Sequence, residues 1–324
     1  MRAAVHDRYG PPEVLRVEEV PAPVAGPGEL VVRVHRSSVN RTDCGFRAAD
    51  PIIVRAFSGL RRPRARILGN EFAGTVEAIG PDVTRFAVGD RVFGVDQDRF
   101  GSNAELMVTR EDAPIATMPA SMTFDDGGAL CDGFILAHTC LSATKLRSGQ
   151  RILVYGATGS IGSATVQLAH AWGAHVTAVA DTSTLELMRS LGADEVIDRT
   201  KQDFTRDGKV YDVVFDAVGK LDFATCRRSV VKGGPYVTTD LGRFWHVPPL
   251  VLLTALTSKL GTRRTMLPIP TYRQSHVEEL RGLWEEGRYR SVIDRHFPLD
   301  DIIEATRYVQ TGRKVGNVVI DVAD

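Results

Sequence analysis

Three glycines spaced three residues apart mark the stretch of this 324-residue chain best suited to chemistry: Gly156-Ala157-Thr158-Gly159-Ser160-Ile161-Gly162. The apolar run Ile152-Leu153-Val154-Tyr155 precedes it, and Ala164-Thr165-Val166-Gln167-Leu168-Ala169 follows with helical character. Strand, glycine turn and helix in that order suit a pyrophosphate. Glycines let the backbone approach it closely, and the helix N-terminus offers free N–H groups and a partial positive charge. Asp181 stands nineteen residues beyond Gly162, at the end of the apolar run Val176 to Ala180. An acid there can accept hydrogen bonds from an adenosine ribose. The segment predicts a dinucleotide site made by Gly156, Ala157, Thr158, Gly159, Ser160, Ile161, Gly162, Asp181 and Thr182, with Ala217, Val218 and Gly219 at the end of a later strand. The stretch Asp181-Thr182-Ser183-Thr184 carries no base. A 2′-phosphate beside the carboxylate would be repelled by about 4 kcal/mol at ~4 Å and an effective dielectric of ~20. NADH is therefore expected over NADPH, by about tenfold once screening is counted. The counter-reading turns Asp181 outward and lets Arg189 or Arg199 hold the phosphate.

Those residues need a scaffold, and composition bounds it. An apolar fraction of 43% and a charged fraction of 25% are ordinary for a globular protein, and the length favours two domains. Forty basic and forty acidic residues cancel, so no charge excess recommends nucleic acid or an anionic membrane as partner. The N-terminus lacks a long apolar core and the longest apolar run, Leu250 to Leu256, is too short for a bilayer; a cytoplasmic location is the expectation. Cys44, Cys131, Cys140 and Cys226 form no CxxC pair and suit neither a disulfide framework nor a zinc knuckle.

The first third carries short alternating runs separated by Pro/Gly punctuation, which predicts a β-rich, barrel-like domain. After Pro119 strands and helices alternate, as in a doubly wound parallel sheet. The segment Phe244 to Pro270 breaks the alternation, and a helix is expected from about Ser275 to Gly287. The tail, from Val292 to Ile320, reads strand, helix, strand and is assigned back to the β-rich domain. The expected domains are 1–120, completed by 290–324, and 121–289.

The chain resembles the medium-chain dehydrogenase/reductase superfamily, in its zinc-independent quinone-oxidoreductase (zeta-crystallin-like) branch. The markers are Ser38-Val39-Asn40-Arg41-Thr42-Asp43, Leu68-Gly69-Asn70-Glu71-Phe72-Ala73-Gly74, Val88-Gly89-Asp90-Arg91-Val92-Phe93-Gly94, the glycine turn, Leu191-Gly192-Ala193-Asp194, Tyr211-Asp212 to Gly219 and Gly316-Asn317-Val318-Val319. The resemblance implies a GroES-like β-rich catalytic domain, a Rossmann domain, and an active site between them. It also implies hydride transfer between NAD(P)H and a small quinone, enone or related carbonyl, and a homodimer, for which Leu250–Leu256 supplies an apolar surface. Alternatives are an NAD(P)-dependent alcohol dehydrogenase and a cofactor-binding protein without catalysis.

Zinc-dependent relatives place Cys where Asn40 stands and Gly-His-Glu where Gly69-Asn70-Glu71 stands. Carboxamides are poor zinc donors, so no metal is expected. Many relatives carry Tyr where Phe46 stands, which leaves the proton donor unassigned. The expected catalytic residues are Asn40, Asp43 and Asp132. Asn40 either meets the nicotinamide ribose and substrate or stabilises a turn. Asp43 either relays a proton or caps the following turn, with capping favoured. Asp132 either faces the active site or caps the helix from Phe134 onward, and Cys131 reads as a packing residue. Phe46, Phe57, Phe100, Phe244 and Trp245 are candidates for apolar substrate walls.

Overall fold

The computed structural model describes residues 1–221, 223–239, 256 and 263–323. Two compact units emerge, one from Met1–Asp132 with Tyr272–Asp324 and one from Gly133–Thr271.

The first unit is built on a seven-stranded sheet. Its path runs Ile293–Pro298, Asn317–Asp321, Glu29–Val39, Glu71–Ile79, Arg91–Val95, Ile115–Thr117, and Leu106–Arg110 also pairs with Glu29–Val39. Pairing is antiparallel except between Ile293–Pro298 and Asn317–Asp321, which the helix Ile302–Gln310 connects. The alternation of Leu30, Val32 and Val34 with Val31, Arg33 and His35 decides which face turns inward. Leu30, Val32 and Val34 join Phe72, Val76, Val92, Ile302 and Ile320 in one core.

Two elements expected in the second domain belong to this unit. The helix Gln274–Glu285 lies beside Ile115–Thr117: Ile115 N donates to Gln274 Oε1 (3.1 Å), and Arg281 Nη1 to Thr117 Oγ1 (3.3 Å). The short helix Phe124–Gly127 lies against Glu29–Val39, with Phe124 stacked on His35 at 4.2 Å and Asp125 accepting from Arg36 Nε at 2.6 Å. Apolar periodicity tells which helix face is buried but not against which sheet, and these two helices turn on that difference.

The second unit carries a six-stranded parallel sheet in the order Glu195–Asp198, His175–Ala180, Arg151–Tyr155, Val213–Asp216, Pro235–Thr238, Arg264–Met266. Its central strands are apolar on both faces, as a covered parallel sheet requires: Ile152, Leu153, Val154, Val213, Val214 and Phe215 are all buried. Strand order reverses beside Arg151–Tyr155, so a crevice opens at that strand's carboxyl end. The sixth strand falls inside the segment taken to break the alternation; three residues are too few to register as a strand pattern. Residues 240–255, Phe244 and Trp245 among them, lie outside the described residues, and so does most of the apolar run 250–256. Among the described residues, no helix is long and apolar enough to cross a membrane.

Candidate functional site

In the second unit the glycine turn joins the strand Arg151–Tyr155 to the helix Ser160–Ala171. Its three glycines do three jobs. Gly156 has φ +72°, in the left-handed region, and a Cβ there would meet Val218 Cγ1 at 2.6 Å. Gly162 packs so tightly that a Cβ would stand 2.2 Å from Gly156 O. At Gly159 a Cβ would meet nothing nearer than Gly156 O at 3.9 Å, so this face is open. Gly159 is also the N-cap and brings no side chain to the helix's first N–H groups. An open backbone face over uncapped donors fits the pyrophosphate of a dinucleotide. Ala157 is buried and its N–H is held by Val179 O (3.3 Å), whereas Thr158, Ser160 and Ile161 are half-buried.

Ala217, Val218 and Gly219 follow the strand Val213–Asp216 at the same sheet edge. The fully buried Asp216 shapes them. Its Oδ1 accepts from Val218 N (3.0 Å) and Gly219 N (2.9 Å), and its Oδ2 from Leu221 N (2.9 Å) and Tyr236 OH (3.1 Å). A carboxylate thus fixes the loop that carries Val218 over Gly156.

Asp181 follows the strand His175–Ala180, and a base does stand beside it. Parallel pairing sets Asp198 opposite Ala180, which brings Arg199 level with Asp181. Arg199 binds it with Nε to Oδ1 at 2.7 Å and Nη2 to Oδ2 at 2.8 Å, both side chains being half-exposed. Such a two-pronged pair is invisible in the stretch 181–184, because its cation comes from the next strand. Arg189 instead pairs with Glu186. Thr182 Oγ1 donates to Asp198 Oδ2 at 2.5 Å.

In the first unit the sequence-predicted residues Asn40, Asp43 and Asp132 meet through Asn70. Asn40 and Asp43 form a reciprocal cap on the helix Arg41–Ala48: Asn40 Oδ1 accepts from Asp43 N and Asp43 Oδ2 from Asn40 N, each at 3.0 Å. Asp43 Oδ1 also accepts from Gly69 N (3.1 Å). Both oxygens therefore hold backbone, the capping role expected of it. Burial nevertheless pushes the carboxyl up to about 7. Asn40 Nδ2 donates to Asn70 Oδ1 (3.0 Å), and Asn70 Nδ2 to Asp132 Oδ1 (3.0 Å).

Asp132 lies in the first turn of the helix Cys131–Thr144. The helix start is held by Glu71, whose Oε1 accepts from Cys131 N and from Asp132 N (3.1 Å), while Ser38 Oγ donates to Oε2 (2.7 Å). The Asp132 side chain is thereby free to take hydrogen bonds from Asn70 and from Tyr272 OH (3.0 Å). Burial raises its pKa against those bonds and against the attraction of Lys314. Burial and the neighbouring Asp132 push Glu71 up to about 8. Lys314, donating to Gly316 O, is pulled down to about 8 by burial. Asp132 therefore sits with a phenol and a carboxamide both bonded to its Oδ1, and burial favours its protonated form. Cys131 is fully buried and burial drives its thiol far up, consistent with packing.

Sequence reasoning missed Tyr272, Lys314 and Gln97. Gln97 Oε1 accepts from Asn70 Nδ2 at 2.7 Å. Tertiary folding alone brings Gln97 to Asn70, Tyr272 to Asp132 and the charge of Lys314 within reach of Asp132. Gln97 also lines a pocket of about 350 Å³ whose walls include Phe46, Phe57, Leu68 and Phe100. Phe46 and Phe100 stand 4.8 Å apart between ring centroids.

The donor set around Asn40 and Asn70 is carboxamides bonded to each other, chemistry that does not suit zinc. Among the described residues one group has metal-ligand geometry, Asp125, His296 and Asp321. There Arg36 Nε already lies 2.6 Å from Asp125 and 3.1 Å from Asp321.

Residues 26–120 match the alcohol dehydrogenase GroES-like domain and residues 191–320 the zinc-binding dehydrogenase family. A 2-methylene-furan-3-one reductase of Solanum lycopersicum is 31% identical over 332 residues, covering 99% of this chain and 79% of its own length. A quinone oxidoreductase of Pseudomonas aeruginosa is 31% identical over 333 residues, covering 96% and 97%. The solved quinone oxidoreductase from Coxiella burnetii superposes over all of this chain and 99% of its own, with TM-score 0.87 and 24% identity, a likeness of fold.

Proposed function

The chain belongs to the medium-chain dehydrogenase/reductase superfamily and is a nicotinamide-dependent oxidoreductase, and from that premise we propose a zinc-independent reductase of quinones, enones or related carbonyls. The observation that carries the proposal is the pairing of two features: a glycine turn with an open face at Gly159, and a buried Asn40–Asn70–Asp132 cluster built of carboxamides where a metal enzyme needs thiolate or imidazole. The names of the relatives from Solanum and Pseudomonas support the acceptor class.

A bound nicotinamide would supply the hydride. Gly156 to Gly162 and the N-terminus of the helix Ser160–Ala171 would hold its pyrophosphate, Asp181 its adenosine ribose, and the loop Ala217–Gly219 would border it. Asp132 would supply a proton through the Tyr272 hydroxyl, which gives up its own proton as it takes one from Asp132; Asn70 orients Asp132, and Asn40 and Asp43 set the position of Asn70. Asp132→Asn keeps the size and one acceptor but cannot carry the proton, so kcat should fall at least tenfold with KM little changed.

We keep the expected preference for NADH but narrow it to about threefold, because Arg199 offsets the charge of Asp181. A homodimer formed through the dinucleotide-binding domain is also proposed, from the family likeness and the apolar sequence of 250–256; sedimentation as a monomer at micromolar concentration would overturn it.

The test of function is NADH oxidation against a panel of quinones, enones, aldehydes and imines, before and after exhaustive chelation. Turnover with a quinone or enone that survives chelation is expected. Stoichiometric zinc whose removal abolishes turnover would overturn metal independence, and NADH turnover confined to aldehydes, with reduction of NAD⁺ by the matching alcohols, would favour the alcohol dehydrogenase alternative.

A further inference from the structure

Side-chain amides have two ends, one donating and one accepting, and shape alone does not tell them apart. In the first unit the hydrogen-bond chain does. The backbone N–H of Asp43 can only donate, so the atom of Asn40 that meets it must be Oδ1. Asn40 Nδ2 then faces Asn70, whose near atom must accept and is Oδ1 (3.0 Å). Asn70 is left with Nδ2 for its other neighbours. It donates to Asp132 Oδ1 (3.0 Å) and to Gln97 Oε1 (2.7 Å). Gln97 is fixed in turn: its oxygen points back into the protein and its Nε2 has no partner among the described residues. A donor-only group at a helix N-terminus thus sets the polarity of three successive amides. Any one of them reversed would place like ends together and leave a buried group unpaired.

The last amide of this chain lies in the wall of the pocket of about 350 Å³. That volume is at the small end for ligand sites. Phe46, Phe57, Leu68 and Phe100 give the pocket an apolar side, and His6, Ser58, Arg64 and Asp98 stand among its other lining residues. Phe100 takes φ +59°, a conformation rare for a bulky residue, and its ring lies 4.8 Å from that of Phe46. A small planar body can lie against these rings, and the N–H₂ group of Gln97, its direction fixed, calls for an acceptor on that body.

We propose that Gln97 is the hydrogen-bond donor to the carbonyl oxygen of a small planar aromatic ketone, enone or quinone bound in this pocket. The inference rests on the reading of the enzyme as a carbonyl or alkene reductase and names the residue that selects the acceptor. A donor locked before binding loses no reorganisation energy when negative charge grows on the oxygen, so its contribution rises as the substrate is reduced. Alcohols offer a donor as readily as an acceptor and gain less from it.

The test uses the full-length protein without added cofactor and 1-indanone as probe. Infrared difference spectra read the carbonyl stretch of the bound ketone, and equilibrium dialysis reads its affinity. Saturable binding with the stretch displaced to lower frequency is expected for the wild type. Gln97→Leu should abolish the displacement and weaken binding about tenfold. Gln97→Glu, of the same shape but presenting an acceptor, should do at least as much; an unchanged melting temperature in either variant shows the fold intact. Arg64 also lines the pocket and is the competing donor. A displacement lost in Arg64→Ala and kept in Gln97→Leu overturns the assignment, as does a wild-type stretch at its solution frequency. Fast NADH turnover with an unaltered band in Gln97→Leu sinks this inference and spares the reading of function. A Gln97-dependent band in a protein that reduces no carbonyl does the reverse.

Discussion

The parts of the second unit that fit a cofactor lie in seven consecutive residues, Gly156 to Gly162, with short strand ends beside them. The polar cluster of the first unit is assembled differently. Asn40, Asn70, Gln97, Asp132 and Tyr272 come from five separate segments and meet only through side chains. The turn works by what is absent, since glycines clear space for a ligand and for the backbone. The cluster works by what is present, since each amide or carboxyl orients the next. A turn of the first kind tolerates changes in its surroundings and fails when a side chain is added to it. A cluster of the second kind tolerates no reversal of any member, and its charge state matters.

The sharpest way to break this contrast is to add a side chain at two neighbouring glycines. Gly159→Val enters open space and should leave stability within about 0.5 kcal/mol of wild type, while weakening NADH binding at least a hundredfold, about 2.7 kcal/mol. Gly162→Val drives Cβ toward Gly156 O, 2.2 Å from its ideal position, and should cost several kcal/mol of stability before any ligand is considered. Urea unfolding and quenching of NADH fluorescence measure the two effects. Equal loss of stability in both variants would show that the turn has no open face.

Charge sharpens the comparison from the other side. The glycine turn contains no ionisable side chain, whereas Asp43 lies buried beneath the cluster with its pKa raised from 3.8 to about 7. Its unfolded form loses the proton above about pH 4, and its folded form keeps it to about pH 7. The folded state therefore binds more protons in that window, and stability falls as pH rises through it. One proton changes stability by about 1.4 kcal/mol per pH unit, so about 2 kcal/mol should be lost between about pH 5 and about pH 6.5. Asp43→Asn removes this group, and its stability should fall less over the same interval by that amount. Parallel curves would mean that Asp43 is ionised when folded, its charge carried by the N–H groups of Asn40 and Gly69.

The same contrast explains what could be read from the sequence. Strand, glycine turn and helix are local patterns of spacing and apolar period, and the structure places them as expected. The antiparallel runs of the first unit were legible for the same reason, through alternation. Asn40 and Asp43 were legible as a cap, because the reciprocal bond spans only three residues. Asp132 stood out as an acid in an apolar helix. Its partner Tyr272 did not, because 140 residues of chain separate them and no periodicity records the contact. The capping of Asp132's helix by Glu71 was hidden likewise, across 60 residues. Arg199 shows the limit at close range. Seen along the chain it is eighteen residues from Asp181; seen across two parallel strands it is adjacent.

That pair gives the last and smallest test. If Asp181 were alone, its charge would disfavour the 2′-phosphate of NADPH by about tenfold. With Arg199 bound to both its oxygens the net charge there is near zero, and half-exposure lets water screen the remainder. The wild type should then prefer NADH in kcat/KM by only about threefold, about 0.7 kcal/mol. Arg199→Ala takes the cation away, restores the unopposed carboxylate, and should widen the preference to about tenfold. Asp181→Ser leaves Arg199 without its partner, ready to meet a phosphate, and should turn the preference toward NADPH. The double variant has neither charge and should fall between them. Were Arg199→Ala instead to lower NADPH use and NADH use equally, the pair would be a surface ion pair with no part in choosing the cofactor. Strand pairing would then have brought the two residues together without consequence for the site.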